Sequence, residues 1–156
     1  MTNIIENTCC FFGHRSLPKK RFEYIIKRLD LEIDNLINQG VTNFISGGEL
    51  GFEQIAASIV LVKREMGANV RLILALPCQN QDKKLTAGQK RLYHTLLSEA
   101  SEVRYVVDDC MKKRDYSIVD NASYCICYFT NTNSHCEAAQ TLRYAEQKGL
   151  TVRLLT

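Results

Sequence analysis

The 156-residue sequence has no tryptophan, and none of its apolar runs approaches the roughly 20 residues needed to cross a membrane. The N-terminal stretch MTNIIENTCCFFGHR lacks a basic segment followed by a long apolar one, so no signal peptide is predicted. No linker, repeat or low-complexity segment interrupts the chain. These absences argue against a membrane protein and predict a single cytoplasmic domain, residues 1–156, that can bury a sizeable core.

The charge and the cysteines are ordinary for a globular protein. A net charge of +3 is mild, and the clusters PKKR (18–21) and KKR (112–114) are typical of solvated faces rather than of a nucleic-acid footprint. Seven cysteines is an odd number, and four of them lie in apolar runs: Cys9, Cys10, Cys125 and Cys127. Such cysteines indicate buried thiols in a reducing compartment, and no pair shows a recognised zinc spacing. We therefore expect neither a disulfide framework nor a metal site.

Short apolar runs alternate with helical patterns along the whole chain. The predicted strands are residues 8–12, 42–46, 70–76, 102–107, 124–129 and 151–155. The predicted helices run from 19 to 38, from about 51 to 67, from 86 to 100, from 111 to 122, and up to 148. Strands that alternate with helices imply right-handed crossovers and a sheet covered on both faces. The sequence thus predicts an α/β, Rossmann-like three-layer α/β/α sandwich with a mostly parallel sheet of about six strands.

The apolar stripes of the helices predict which residues face the core. In the first helix Gly40 marks the C-terminal end, and Phe22 begins the inward stripe. In the second and third helices the stripes include Val62 and Leu92. These side chains are expected to be buried.

Unusual residues collect where the predicted strands end. In an open parallel sheet, ligands bind in the crevice beyond the carboxyl ends of the strands. Four strands run into such clusters: Gly13-His14-Arg15, Ser46-Gly47-Gly48-Glu49, Pro77-Cys78 and TNTNSHCE (130–137). The helix before the fifth strand opens with Arg114 and Asp115. Because all these groups face the same edge, the sequence predicts a ligand site there.

The turn ISGGELG (45–51) has two interpretations. Glycines at 47 and 48 let a ligand approach bare N–H groups, and the helix that starts near Gly51 directs its positive dipole end to the same place, which suits a phosphate. GGELG matches neither the dinucleotide fingerprint nor the P-loop, however, and strand-to-helix packing often needs glycine by itself. A phosphate cradle and simple close packing both remain open.

A family resemblance is carried by five segments in order: CCFFGHR, FISGGELGFEQIAASIVL, LILALPCQNQDKK, MKKRDYSIVDNASYCICYF and TLRYAEQKG. Together they resemble the YpsA-like branch of the SLOG superfamily, which also includes the DprA DNA-processing proteins and the LOG phosphoribohydrolases. The resemblance implies a Rossmann-like fold, a nucleotide or nucleotide-derived ligand, no required cofactor and a homodimer. It supplies no settled reaction for this branch.

The resemblance also implies site residues. The GHR motif of the family is Gly13, His14 and Arg15, and its glycine motif is Ser46, Gly47, Gly48, Gly51 and Phe52, with Glu53 replacing the usual aspartate. The helix-four motif, commonly Arg-Asn, is Arg114-Asp115 here, followed by Asp120, and Pro77 ends the third strand. The expected Gly-Gly-Thr before the last helix is absent, and Cys136-Glu137-Ala138 stand there instead. This departure removes a second backbone anion cradle.

Two further functions stay open beside a binding or sensor module. LOG enzymes share M-x-x-R-K and a later PGGxGTxxE loop, which align Arg114 and Glu137 with residues that serve cleavage of a base from a nucleoside monophosphate. A phosphoribohydrolase would use Arg114 on phosphate or developing charge and Glu137 on ribose or water. A DprA-like single-stranded DNA binder needs a basic groove with aromatic platforms, which the mild charge and missing tryptophan disfavour.

Several of these side chains also have plainer interpretations. Arg15 fits a phosphate contact or a solvated arginine, and His14 fits an acid, a base or a base-stacking group, or a histidine hydrogen-bonded to loop backbone. Arg114 fits a ligand contact or a salt bridge with Asp115 or Asp120. His14, His135 and Cys136 all lie at strand ends and could converge, and Tyr116 could stack on a base.

Overall fold

The computed structural model describes residues 4–77, 82–105, 111–130 and 137–155. Its strands are β1 (Thr8–Gly13), β2 (Asn43–Ser46), β3 (Arg71–Leu76), β4 (Glu102–Tyr105), β5 (Tyr124–Tyr128) and β6 (Thr151–Leu155). Its helices are α1 (Phe22–Asn38), α2 (Phe52–Glu65), α3 (Ala87–Glu99), α4 (Met111–Asp120) and α5 (Glu137–Gln147). Short 3₁₀ helices, Ile4–Asn7 and Lys19–Arg21, precede β1 and α1. The predicted order of elements is confirmed, and residues 106 and 107 of the predicted fourth strand lie outside the described residues.

The six strands form one sheet in the order β4-β3-β2-β1-β5-β6, and every strand pairing among the described residues is parallel. From β1 to β4 the chain adds strands in one direction. It then crosses back so that β5 pairs with the other side of β1, with Cys10 opposite Cys125. The strand order therefore reverses between β1 and β5, and this reversal is where an open α/β sheet forms its crevice.

Helices cover both faces of the sheet. One core joins α1, α2 and α3 to the side chains on one face of the strands, among them Phe11, Phe44 and Tyr128. A second core joins α4 and α5 to the opposite face, where Phe12 and Ile45 point. Neighbouring residues of β1 thus enter different cores, as the twofold alternation of a strand requires. The predicted three-layer α/β/α sandwich is confirmed.

The predicted stripes need correction at three residues. Phe22, Val62 and Leu92 are 41%, 54% and 40% exposed, whereas Glu32, Glu53 and Gln54 are buried. Helix α2 packs against both α1 and α3, so its buried face is broad and centres on Phe52, Ala56 and Val60. Val62 falls on the opposite side of the helix. Phe22 is the first residue of α1, where fewer neighbours surround it. Leu92 lies on α3, whose main helix neighbour among the described residues is α2.

The four cysteines assigned to apolar runs lie in the core as free thiols. Burial raises the pKa of Cys9 and of Cys10, which keeps both thiols protonated at neutral pH. Within the ranges described above, no cluster of three or more His, Cys, Asp or Glu side chains is arranged to hold a metal ion. None of the described helices is long and apolar enough to cross a membrane.

Candidate functional site

The loops after β1 and β2 pack directly against each other at the carboxyl edge. A Cβ on Gly13 would lie 2.5 to 2.7 Å from atoms of the Phe52 side chain, and one on Gly51 would overlap the carbonyl oxygen of Arg15. The Phe52 amide, the first of α2, donates to the carbonyl oxygen of His14 at 3.1 Å. Gly51 also has a φ of +82°, which favours glycine. At positions 13 and 51 close packing of the chain against itself is therefore sufficient reason for glycine.

His14 ties the ends of β1 and β5 together. Its backbone amide donates to the Tyr128 carbonyl oxygen at 3.3 Å, and its ring Nε2 accepts from the Thr130 amide at 3.1 Å. The ring stands edge-on to Tyr128 and Phe129, with centroids 5.8 and 5.6 Å away. Because Nε2 accepts a backbone N–H, the imidazole carries its proton on Nδ1. The interpretation of a histidine hydrogen-bonded to loop backbone is confirmed.

The glycine turn after β2 is held by hydrogen bonds to the first turn of α2. The Gly47 amide donates to Glu53 Oε1 at 3.0 Å. Ser46 Oγ donates to the Glu53 carbonyl oxygen at 2.9 Å and accepts from the Gly48 amide at 3.2 Å. Gln54 Nε2 donates to the Gly48 carbonyl oxygen at 3.0 Å. Since Ser46, Glu53 and Gln54 are buried, these bonds give the turn a definite shape.

A charged pair lies at the rim of these two loops. The Arg15 guanidinium contacts the Glu49 carboxylate at 3.1 Å, with the Arg15 side chain 71% exposed and that of Glu49 14% exposed. Only the Arg15 end of this pair is open to solvent, whereas the Glu49 carboxylate is largely covered. The exposed guanidinium is therefore within reach of a negatively charged group that approaches from solvent.

Helices α4 and α5 contact each other one turn in from their N-terminal ends. Thr141 Oγ1 donates to Oδ2 of the buried Asp115 at 3.5 Å. Arg114 precedes Asp115 by one residue, and Glu137 precedes Thr141 by one helical turn, so their backbones lie on adjoining parts of the two helices. The side chains of Arg114 and Glu137 lie outside the described part of the structure, as do Cys78, His135 and Cys136. Pro77 follows the carboxyl end of β3.

Asp120 is not brought to this edge. It ends α4, about 14 Å along the helix from Met111, because a helix that returns to the next parallel strand runs opposite to the strands. At the amino edge its Oδ1 accepts from the Tyr144 hydroxyl at 2.6 Å, and Lys148 lies 3.9 Å away. Tyr116, suggested as a stacking platform, stacks on Tyr144 with ring centroids 4.0 Å apart. We therefore leave Asp120 out of the candidate site.

Three residues lie at the site without having been singled out from the sequence. Thr130 belongs to the predicted cluster after β5, so its position alone could have identified it. Thr141 opens the segment TLRYAEQKG, but its burial beside Asp115 follows from the packing of α5 in the fold. The Tyr128 hydroxyl is buried at the end of β5 and has no hydrogen-bond partner among the residues described. The surrounding rings of Phe52 and His14 account for the burial of the tyrosine side chain.

Nearly the whole chain matches a known protein family. A model of the YspA SLOG family (YpsA) matches residues 10–156. UPF0398 protein BH1768 of Halalkalibacterium halodurans is 30% identical over 93 residues, which are 60% of this chain and 47% of that protein. The uncharacterized SPbeta prophage-derived protein YoqJ of Bacillus subtilis is 37% identical over 60 residues, 38% of this chain and 35% of that protein. The chain thus spans less than half the length of either relative.

Two solved structures share the fold. The X-ray structure of TM1055 superposes with a TM-score of 0.60 at 17% identity, covering 94% of this chain and 72% of that one. DNA processing protein A from Helicobacter pylori, described for its single-stranded DNA binding mode, gives a TM-score of 0.65 at 15% identity, covering 100% of this chain and 69% of that one. At such identities the likeness shows the fold alone.

Proposed function

This chain belongs to the YspA SLOG family, and we propose that it binds a nucleotide or nucleotide-derived ligand at the carboxyl edge of its sheet, as a sensor or binding module. The observation that carries the proposal is the convergence on His14. Its backbone contacts α2 through Phe52, and its ring contacts the end of β5 through Thr130. This junction lies where the strand order reverses, the usual position of a ligand crevice in such sheets.

Arg15 is the residue that we assign to the ligand's negative charge. Its guanidinium is exposed beside His14, and its partner Glu49 belongs to the facing loop. A planar guanidinium can hold a phosphate through two parallel hydrogen bonds. The proposed ligand site comprises these two loops together with Asp115 and Pro77. No cofactor is required by this proposal, and a homodimer and a cytoplasmic location stay predictions.

The proposal is tested by thermal unfolding with AMP, N6-modified AMP, NAD, ADP-ribose, GTP and short single-stranded DNA. A ligand at about one hundred times its dissociation constant stabilises the native state by about 2.7 kcal/mol, which should raise the midpoint by roughly 5 °C. We expect one nucleotide class to give this shift and Arg15→Ala to remove most of it. Arg28→Ala is the matched control, because Arg28 is also exposed and paired with a glutamate, but on α1. Unchanged midpoints throughout would reject nucleotide binding.

A phosphoribohydrolase is the second candidate, favoured by the contact between Asp115 and Thr141, which joins α4 and α5 one turn in from their N-terminal ends. Glu137→Ala should abolish release of the base from a nucleoside monophosphate while binding is retained. Glu146→Ala, an exposed position of the same helix, is the control and should leave turnover intact. Equal turnover in both variants would remove this candidate.

Single-stranded DNA binding is the third candidate, and its only structural support is the shared fold with DNA processing protein A. Binding through phosphates weakens steeply as salt is added, because counterions are released from the nucleic acid. Fluorescence anisotropy of a labelled oligonucleotide over a salt series checks this directly. Affinity that does not change with salt would count against this mode of binding.

A further inference from the structure

The glycine turn after β2 already holds a carboxylate. Glu53, at the second position of α2, turns its side chain back so that Oε1 accepts the Gly47 amide at 3.0 Å. The glutamate is only 5% exposed, and its backbone carbonyl is held by Ser46 Oγ. A buried carboxylate is costly unless it is hydrogen-bonded or paired, so its place against the amide is a specific feature of the turn.

The position of this carboxylate is the one that an external anion would favour. Backbone amides of a glycine turn and the start of a helix together attract negative charge. Here Gly47 supplies the amide, α2 supplies the helix start, and Glu53 supplies the charge. A phosphate at the Gly47 amide would have to displace a buried carboxylate that is covalently tethered beside it.

We propose that Glu53 is an intramolecular ligand of the glycine turn and sets its selectivity against phosphate. This inference refines the proposed function. Its relevance to ligand choice rests on that function. The anionic group of a bound nucleotide then lies toward Arg15, on the β1 side of the crevice. The β2 side carries Glu49 and the glycine turn that holds the Glu53 carboxylate. This side faces parts of the ligand that donate hydrogen bonds, such as hydroxyl or amino groups.

Chemical rescue by a small carboxylate tests the proposal without any nucleotide. Glu53→Ala should lower the thermal midpoint by about 5 °C, because a buried charge-assisted hydrogen bond is lost. Sodium acetate should then restore a saturable part of the loss, relative to sodium chloride at equal ionic strength. Acetate should leave the wild type and Glu65→Ala unchanged, since Glu65 is an exposed glutamate at the far end of the same helix.

Two results would overturn the inference. Acetate that fails to stabilise Glu53→Ala, or that stabilises the wild type equally, would show that Glu53 does not occupy an anion position. If Glu53→Ala does not fold, Glu53→Gln retains an oxygen acceptor and removes the charge. The Gly47 amide proton should then move upfield in its NMR spectrum, and an unchanged resonance would reject the contact. Rescue by acetate without nucleotide binding to the wild type would reject the proposed function alone.

Discussion

Polar side chains at the two edges of the sheet have different kinds of hydrogen-bond partner. At the carboxyl edge, His14, Ser46 and Glu53 bond mainly to backbone atoms of neighbouring loops. At the amino edge, Asp120 and Tyr144 bond to each other across two exposed helix ends. Backbone partners fix a side chain to the scaffold, whereas paired exposed side chains fix only one another. The loops at the carboxyl edge are therefore fixed to the scaffold, whereas the contacts at the amino edge chiefly join α4 to α5.

The largest difference between the edges is expected from glycine replacement. Gly51 at the carboxyl edge and Gly149 at the amino edge have φ values of +82° and +81°. A Cβ on Gly51 would overlap the Arg15 carbonyl, whereas nothing lies within 4 Å of one on Gly149. Gly149→Ala should cost about 1–2 kcal/mol for the backbone conformation alone. Gly51→Ala should cost about 3–5 kcal/mol, because strain and steric overlap add.

Urea unfolding of both glycine variants measures this difference. Gly51 combines its positive φ with a ψ of −125°, so the excess for Gly51→Ala reports backbone strain at this position together with the packing of the loops. Equal losses for the two variants would mean that the β1 and β2 loops can separate easily, contrary to a preorganised site.

A smaller effect should follow from removing one hydroxyl at each edge. Ser46→Ala deletes the bonds to the Glu53 carbonyl and from the Gly48 amide inside the protein, and should cost about 1–3 kcal/mol. Tyr144→Phe deletes a bond at the surface, where water can replace the hydroxyl, and should cost less. Chemical denaturation gives both values. A larger loss for Tyr144→Phe would reverse our ranking of the two edges.

The smallest effect concerns pH at the amino edge. The hydrogen bond to Asp120 raises the pKa of Tyr144 from 10.0 to about 12, because the neutral hydroxyl is the donor. Because the pKa of Tyr144 is higher in the folded than in the unfolded state, this hydrogen bond contributes to stability below pH 10. The contribution is lost as the pH rises toward about 12. Phenolate absorbance, as the difference between wild type and Tyr144→Phe, should show this titration. Asp120→Asn should return it toward 10, and an unchanged value would dismiss the hydrogen bond as its cause.

Much of the fold could be predicted because its signals are local. Helical and strand periodicity located the six described strands and the five α-helices but not the 3₁₀ helix Ile4–Asn7, and Gly40 correctly marked the end of α1, with a φ of +101°. The predictions failed where neighbouring helices decide burial, as for Val62 on α2 and Leu92 on α3. A stripe identifies an amphipathic face, but its exact phase and width depend on what packs beside the helix.

The candidate site was predicted only in outline. Clusters after β1 and β2 identified the edge, because carboxyl ends of parallel strands meet there. The hydrogen bond from Thr130 to His14 joins residues 116 positions apart, and no local pattern reports such a pair. Asp120 was placed in the site by motif position, and the direction of α4 moved it to the opposite edge.

The sequence by itself determined the order of strands and helices, their parallel direction and the sheet edge that carries the unusual residues, because periodicity and right-handed crossovers act over short stretches of chain. Only the tertiary structure decided that the strand order reverses between β1 and β5, and that the Glu53 carboxylate fills the glycine turn. These features depend on packing between distant segments. Burial there favours hydrogen bonds to whatever lies nearby in space, as for Ser46 and Glu53.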